Sequence, residues 1–282
     1  MKEHIAEKLT AVMDHIELHL QERLDLDTVA EAARYSKYHL HRMFRAETGI
    51  TLHDYIRRRK LTEAAKLLAF SRTPIIQVSL AAGYESQQAF TGIFKAMYKT
   101  THQKFRENRR FYPLQLPFSL HMCCDGAGED SYEIAYATEE VIPEWLRFLP
   151  CVADSFPCLE EAPHRDWLRC AIAKKQALVM RSGSEMIAAA AYSPQTGCID
   201  FLGIHPQYRQ SAPRTFLGFI RREVPPERTL SVTTFRAGDR ADLGQRAAYQ
   251  RLGFVPSELL TEFGYPTQRM VLQPGAEGQT YG

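Results

Sequence analysis

Cysteine is absent from residues 1–122, and all six cysteines of the chain follow that stretch. They form no CxxC pair and have no nearby histidine at the spacing of zinc ligands, so free thiols in a reducing compartment are expected. His39 and His41 lie two positions apart on a predicted helix and therefore face different directions. The sequence thus predicts neither a disulfide framework nor a metal site.

Long apolar runs are also missing. No run approaches the roughly 20 residues that a membrane helix needs, and the N-terminal stretch MKEHIAEKLTAV lacks the pattern of a signal peptide. We therefore expect no membrane partner and a cytoplasmic location.

A strong overall charge is lacking too, because the net charge is only +2. It is divided unevenly: residues 1–112 hold about 19 Lys and Arg against about 13 Asp and Glu, whereas the remainder carries a net charge of about −4. A positive patch is what phosphate binding requires. With 282 residues, the chain is long enough for two domains, of which the first is the basic one.

Residues 73–106 have the pattern of two short helices joined by a tight turn, the layout of a helix-turn-helix DNA reader. Thr73 is the predicted cap of the first helix, Pro74 its first residue, and Gly83 its end. Ser86 is the predicted cap of the second helix, whose exposed side carries Gln87, Gln88, Thr91 and Lys95. These side chains can read base edges and hold a phosphate. From spacing alone, an ordinary solvated face explains them equally well.

At this point the sequence resembles the AraC/XylS transcriptional regulators, whose signature is a helix, a Gly-aromatic turn, the pattern S-x-x-x-F-x-x-x-FK and an aromatic-Arg pair. The matching elements are Gly83-Tyr84, Ser86, Phe90, Phe94-Lys95 and Phe105-Arg106. The runs YSKYHLHRMFRAETG and ESQQAFT are most similar to the Rob, MarA and SoxS subgroup. The resemblance implies binding to double-stranded DNA and contact with RNA polymerase.

Three residues depart from the family pattern. Lys99 stands where the family usually has Gly, and His102 where it usually has Pro. Gly92 replaces an arginine that usually contacts DNA in the subgroup. The first two changes affect the local turn geometry, and the third affects base preference.

An earlier run, residues 24–50, predicts another helix-turn-helix. Asp25 or Asp27 can cap its short first helix, and Ser36 can cap the next helix, which stops before Gly49. The outward positions of that second helix are Lys37, Tyr38, His41 and Arg42. Arg42 can bind guanine through two hydrogen bonds, and Tyr38 can pack against sugar or a thymine methyl. A solvated face is again the alternative, and the family resemblance favours DNA contact by Arg42.

Two further helices are predicted around these readers. One covers residues 5–20 and supports the domain; the other covers 52–70, starts at a capping-box pattern of Thr51 and Asp54, and separates the readers. The cations of the second, Arg57, Arg58, Arg59 and Lys60, ring its middle as either solvated groups or phosphate contacts. Two readers on one rigid connector imply successive major-groove segments about 34 Å apart, so we expect an asymmetric site bound by a monomer.

The second half predicts a separate domain. Residues 113–130 contain prolines, glycines and an acidic end, which is typical of a linker, so we predict domains 1–112 and 131–282. Alternating periodicity then favours an α/β or α+β fold. Strands are predicted at 132–136, 177–181, 186–192, 198–204, 230–235 and 268–272, and helices at 142–148, 166–174, 215–222 and 240–252.

Within residues 131–273, CIDFLGIHPQYR and AAYQRLGF resemble two segments of the GNAT-type N-acetyltransferases. The resemblance implies a GNAT-like fold and a possible acetyl-CoA site, in which a Gly-rich R-x-x-G-x-G loop cradles phosphate with backbone amides. The corresponding positions here are Ile204, Arg209, Gln210, Ser211, Ala212 and Arg214. Pro213 forfeits one amide donor, and Arg214 brings a bulky side chain that can instead contact a phosphate directly.

The GNAT resemblance also assigns catalytic roles. Tyr249 matches the tyrosine that serves as general acid toward the leaving thiolate, and Asp200 is a candidate base or water positioner. Alternatively, Tyr249 is an aromatic residue of the core and Asp200 lies at a strand edge. Residues 262–269, EFGYPTQR, either line a ligand pocket or connect two strands.

The sequence therefore predicts a bacterial-type transcriptional regulator with an all-α double helix-turn-helix domain and a GNAT-like domain that senses a small molecule. The alternative is an active N-acyltransferase that uses acyl-CoA on an amine, so enzymatic activity is left open. A third hypothesis is an interaction domain that recruits polymerase and binds no ligand.

Overall fold

The computed structural model of the chain describes residues 2–22, 24–120, 132–152 and 161–275. The chain divides into two compact units, residues 1–127 with 150–159 and residues 128–149 with 160–282. We call the first the helical unit and the second the sheet unit. Within the described ranges, no helix combines the length and apolar character that crossing a membrane requires.

The helical unit contains both predicted helix-turn-helix pairs. Its helices are α1 Lys2–Leu18, α2 Leu26–Ala32, α3 Lys37–Thr48, α4 Leu52–Phe70, α5 Ile75–Ala81, α6 Gln87–Tyr98 and α7 His102–Asn108. The pairs are α2 with α3 and α5 with α6, and α4 joins them. The predicted helical fold of this half is therefore confirmed.

Capping side chains set the starts of α3 and α6, the second helix of each pair, which we call the reader helices. The hydroxyl of Ser36 accepts a hydrogen bond from the amide of His39, and that of Ser86 accepts one from the amide of Ala89, which satisfies an otherwise unpaired donor in each first turn. One predicted cap is wrong. Pro74 is the cap residue of α5 and makes no side-chain cap bond, while the carbonyl of Thr73 accepts a hydrogen bond from Arg106.

Helix α4 forms the centre of the helical unit, and three of its cations contradict the prediction of a solvated or phosphate-facing ring. Arg58, Arg59 and Lys60 are only 0%, 4% and 9% exposed. Of the four cations in the predicted ring, Arg57 alone is partly exposed, and it pairs with Asp54. Buried cations require partners because desolvation of an unpaired charge is costly. Here backbone carbonyls and the carboxylates of Glu17 and Glu63 supply them.

The beginning of the predicted linker also differs from expectation. Leu114 is fully buried, and Phe118 and Leu120 are buried as well, so residues 113–120 pack on the helical unit rather than forming a free connection. Residues 121–130 of that predicted linker lie outside the described residues.

The sheet unit is built on a seven-stranded mixed sheet. Its strands are β1 Tyr132–Tyr136, β2 Ala177–Ser182, β3 Glu185–Tyr192, β4 Cys198–Ile204, β5 Leu230–Phe235, β6 Val255–Glu262 and β7 Tyr265–Leu272. The order is β1-β2-β3-β4-β5-β7-β6, and every neighbouring pair is antiparallel except β4 with β5. The accompanying helices are α8 Ile142–Val152, α9 Glu161–Ala173, α10 Ala212–Glu223 and α11 Gln245–Arg251. The predicted mixed α and β fold of this half is confirmed.

Three elements of the sheet unit were predicted incorrectly, and one of them, α9, begins at residue 161 instead of 166. Strand β6 was missed because it is an edge strand that is exposed along most of its length and contains Pro256, so it has no clear alternation. Helix α11 begins later than predicted because the Asp242 carboxylate accepts hydrogen bonds from the amides of Gly244 and Gln245 and caps the helix there. The EFGYPTQR stretch contains the turn of the β6–β7 hairpin, formed by Phe263 and Gly264 with positive φ, and continues into β7.

Candidate nucleic-acid interface

Helix α3 separates its core side from its exposed side. Leu40, Phe44 and Thr48 are buried one turn apart along one side. The predicted contact residues lie elsewhere on the helix: Lys37, Tyr38 and Arg42 are exposed and His41 is half-buried. Tyr38 is 75% exposed, which is high for a large ring. The domain therefore does not use this ring for packing.

Lys37 has a partner in the unbound protein. Its ammonium lies 3.1 Å from the Asp27 carboxylate of α2, and this hydrogen-bonded pairing raises the pKa of Lys37. The ammonium also lies 5.8 Å from the Tyr38 ring centroid. Lys37 can therefore reach a phosphate only by exchanging Asp27 for it, and at an exposed site that exchange costs little.

One outward cation was missed by the sequence analysis. Arg45 is exposed on α3, three positions beyond Arg42, so it lies on the neighbouring turn of the same helix. Its spacing of three residues from Arg42 could have identified it from the sequence.

Helix α6 presents a different outward face. Phe90, Phe94, Met97 and Tyr98 are buried. Gln87, Gln88 and Lys95 are exposed, and the half-buried Thr91 donates its hydroxyl to the Gln87 carbonyl at 2.8 Å. Gly92 is exposed, and a Cβ built there meets no heavy atom within 4 Å. The only cation among the predicted contacts of α6 is Lys95.

In the sheet unit, β4 and β5 pair only at Cys198 with Ser231 and Ile199 with Val232. Beyond these two pairs the strands are not paired, and the loop that resembles a pyrophosphate loop follows the end of β4 at Ile204. The half-buried Arg209 side chain donates to the Ile204 carbonyl at 3.4 Å. Gln210 and Arg214 are exposed, the Ser211 and Tyr132 hydroxyls lie 2.8 Å apart, and Ala212 is buried at the start of α10.

The two predicted catalytic residues lie in different surroundings. Asp200 is exposed at an irregularity of β4, because Phe201 opposes Ala191 while Ile199 opposes Tyr192. Burial and the hydrogen bond with Asp200 raise the pKa of the Cys198 thiol to about 11, so this thiol is unreactive at neutral pH. Tyr249 is half-buried with its ring 5.6 Å from that of Phe254, and burial raises its pKa.

The helical unit is similar in sequence to known proteins. A protein-family model described as "Helix-turn-helix domain" matches residues 29–108. The multiple antibiotic resistance protein MarA of Escherichia coli is 42% identical over 110 residues, which cover 37% of this chain and 87% of MarA. The chain belongs to the AraC/XylS family. As an AraC/XylS-type transcription regulator, it binds DNA.

Two further proteins are similar to parts of the chain. The transcriptional regulator Rob of Salmonella typhimurium is 41% identical to this AraC/XylS regulator over 93 residues, 33% of this chain and 32% of Rob. A solved acetyltransferase of the GNAT family from Bacillus cereus aligns with a TM-score of 0.39 and 9% identity, over 50% of this chain and 96% of that chain.

Proposed function

We propose that a single protomer of this regulator reads two successive major-groove segments of one duplex, one with α3 and one with α6. The observation that carries the proposal is the matched construction of the two helices. Each has 12 residues, begins at a serine cap, buries phenylalanine on one side and exposes its predicted contacts elsewhere. Helix α4, with 19 residues, connects the two pairs.

The side chains suggest what each helix recognises. On α3, Arg42 is suited to the O6 and N7 acceptors of guanine, Tyr38 to sugar or a thymine methyl, and Lys37 and His41 to phosphate or polar edges. On α6, Gln87 and Gln88 are suited to adenine, Thr91 to either purine, and Lys95 to phosphate.

Selection of bound sequences from a random DNA pool tests this proposal. The expected product is an asymmetric site with two conserved segments about one helical turn apart. Band shifts at rising protein concentration on that site should give one complex that contains one protomer. Enrichment of a palindrome, or a complex that contains only two protomers, would contradict monomeric reading.

We further propose that the sheet unit senses a small molecule and thereby biases DNA binding or contact with RNA polymerase. The unpaired continuation of β4 and β5 next to Arg209 and Arg214 supports a ligand with an anionic group, and acetyl-CoA is the first to test. Pro213 supplies no amide to a phosphate, so the side chains of Arg209 and Arg214 would have to take over part of the binding. A ligand shifts DNA affinity only by the difference between its affinities for the two states.

Calorimetric titration of the full chain with acetyl-CoA tests the proposed ligand class. Micromolar binding that changes DNA affinity supports sensing. Turnover of an amine that is lost in Tyr249→Phe would support the acyltransferase alternative. No heat at millimolar acetyl-CoA would remove this ligand class and favour a domain that acts by contact with polymerase alone.

A further inference from the structure

Residues 112–120, which we term the brace, run across the helical unit from the second reader toward α1. The Tyr112 hydroxyl donates to the carbonyl of Tyr98, the last residue of α6, at 3.1 Å. The Phe118 ring meets Tyr55 of α4 edge-on at 5.9 Å between centroids. Leu120, at the end of the brace, lines a shallow groove together with Thr10 of α1.

The middle of the brace is held by one threonine hydroxyl. Thr62 is 1% exposed, and its Oγ1 donates to the Arg58 carbonyl at 2.8 Å. The same oxygen accepts from the amides of Leu114 at 3.0 Å and Gln115 at 3.2 Å. A hydroxyl has one donor and two acceptor positions, so this group uses its full capacity inside the unit.

The buried arginines of α4 hold the carbonyls of the same two brace residues. Arg58 donates from Nε and Nη2 to the Leu114 carbonyl at 3.2 and 2.7 Å. Arg59 donates to the Gln115 carbonyl at 3.1 Å and, at 2.8 and 2.7 Å, to both carboxylate oxygens of Glu17 in α1. Arg59 therefore ties the brace and the helix beside the first reader to the same point of α4.

Lys60 continues this arrangement. Its ammonium donates to the Glu22 carbonyl, in the connection between α1 and α2, at 2.6 Å. A Cβ built at Gly83, in the turn before the second reader, would lie 3.1 Å from the same nitrogen. Consecutive cations of α4 thus contact the segments that border both readers.

We propose that the brace is a positioning element for DNA recognition that fixes the separation and orientation of α3 and α6. The proposal rests on the proposed reading of one duplex by both helices. Because the brace bonds to α6 at one end and to α4 in its middle, and Arg59 joins it to Glu17 of α1, it restricts movement of one helix-turn-helix pair against the other. Release of the brace should leave each reader intact but loosen their spacing.

The test measures spacing preference with the full chain. Thr62→Val keeps the side-chain shape and removes both acceptors for the brace amides, whereas Thr62→Ser keeps the hydroxyl and is the matched control. Duplexes carry the selected site with zero, one or two base pairs inserted between its segments. Each inserted pair moves the second segment by about 3.4 Å and turns it by about 35°.

Wild type should bind the one-pair insertion at least about tenfold more weakly than the uninserted site, because its readers cannot follow the shift. For Thr62→Val this ratio should fall to about threefold or less, with affinity for a single segment unchanged, and Thr62→Ser should restore it. A purely structural role would lower affinity for every duplex alike and leave the ratio unchanged.

An unchanged spacing ratio in folded Thr62→Val would overturn the brace proposal. If Thr62→Val fails to fold, Tyr112→Phe decides, because it removes only the hydroxyl that bonds to Tyr98: a lower ratio supports the brace and a wild-type ratio refutes it. A wild-type protein with no spacing preference would instead refute the reading of one duplex by both helices.

Discussion

The two reader helices share their scaffold and differ in their chemistry. Position by position, α6 repeats α3 with an offset of 50 residues: Ser86 corresponds to Ser36 and Phe94 to Phe44. Most outward positions do not repeat, although Arg45 and Lys95 are both exposed cations. Arg42 corresponds to Gly92, and Tyr38 to Gln88.

This difference separates what folding requires from what recognition requires. A helix in this place needs a cap at its start and an apolar side toward the core of the helical unit, and both copies keep these features. The exposed face carries no such demand, so under the proposed reading its residues reflect what each helix binds. The first reader is cationic and aromatic, whereas the second is mainly neutral and polar, which is the composition expected for two unlike half-sites.

The largest expected effect is the loss of Arg42. Arg42→Ala should weaken specific DNA binding by about 1–3 kcal/mol, because a bidentate contact to guanine is lost, and should relax the preference at one base pair. Fluorescence anisotropy with the selected site and with single-base variants measures both changes.

The matched control for Arg42→Ala is Arg251→Ala, because Arg251 is also exposed but lies on α11 of the sheet unit. It should leave DNA affinity unchanged. Wild-type affinity and base preference in Arg42→Ala would show that α3 does not read DNA through this side chain.

Gly92→Arg makes the second reader resemble the first. Space around Gly92 is open, so the new side chain should be accepted, and replacement of a mid-helix glycine should itself stabilise the protein by about 0.5–1 kcal/mol. We expect a new guanine preference in the second segment, with about tenfold tighter binding to a site that supplies it.

Gly92→Ala is the control for Gly92→Arg, because it gives the same gain in helix propensity without the guanidinium. Denaturant unfolding and repeated site selection separate the two effects. A selected sequence identical to that of wild type would mean that position 92 does not face the bases.

Much of this fold could be predicted because local signals and burial agree. Ser36 and Ser86 stand directly before helices with apolar residues at helical spacing, and the strands of the sheet unit were found wherever apolar runs lie between turn residues. Strand β6 could not be found this way. An edge strand that is exposed on most of its length is stabilised by its neighbour β7, and that neighbour is invisible to a local pattern.

The buried cations of α4 show a second limit of sequence reasoning. Consecutive Arg58, Arg59 and Lys60 resemble a charged surface. The Glu22 carbonyl accepts from Lys60, and the return of the chain at Leu114 and Gln115 supplies the carbonyls that accept from Arg58 and Arg59. Leu114 and Gln115 lie more than 50 positions away in sequence from these arginines. The outward residues of the readers were easier to identify, because helix periodicity alone separates them from the core.

A smaller effect is expected at the C-terminal caps of α3 and α6. Gly49 and Lys99 both adopt the left-handed conformation, with φ of 73° and 57°. This conformation is strained for a residue with a Cβ, so Lys99→Gly should stabilise the protein by about 1 kcal/mol, and Gly49→Lys should destabilise it by a similar amount. Urea unfolding at pH 7.5 measures both. Destabilisation by Lys99→Gly would mean that the bond from the Lys99 ammonium to the Ala96 carbonyl outweighs the strain.

The smallest effect concerns the helices that follow α3 and α6 in the chain. Each begins after a threonine cap, and its first residue is Leu52 in α4 and His102 in α7. Leu52 is fully buried, whereas Nδ1 of His102 is buried with no hydrogen-bond partner among the described residues. Burial, and then the nearby Arg106, lower the pKa of His102 below its ordinary value of 6.5. The folded state therefore disfavours the protonated ring. The contribution of His102 to the free energy of unfolding is complete above pH 6.5 and is lost as the pH falls through the lower folded-state pKa.

His102→Pro should remove that acid sensitivity. Proline suits the first position of α7 and should add about 0.5 kcal/mol at pH 7.5, with the advantage over wild type growing between pH 6.5 and 5. Urea unfolding of both proteins across this range gives the difference, and the other histidines cancel because both proteins contain them. An advantage that does not change with pH would assign the gain to backbone restriction alone. It would also mean that having Leu52 at one position and His102 at the corresponding one does not make the two helix-turn-helix pairs differ in acid sensitivity.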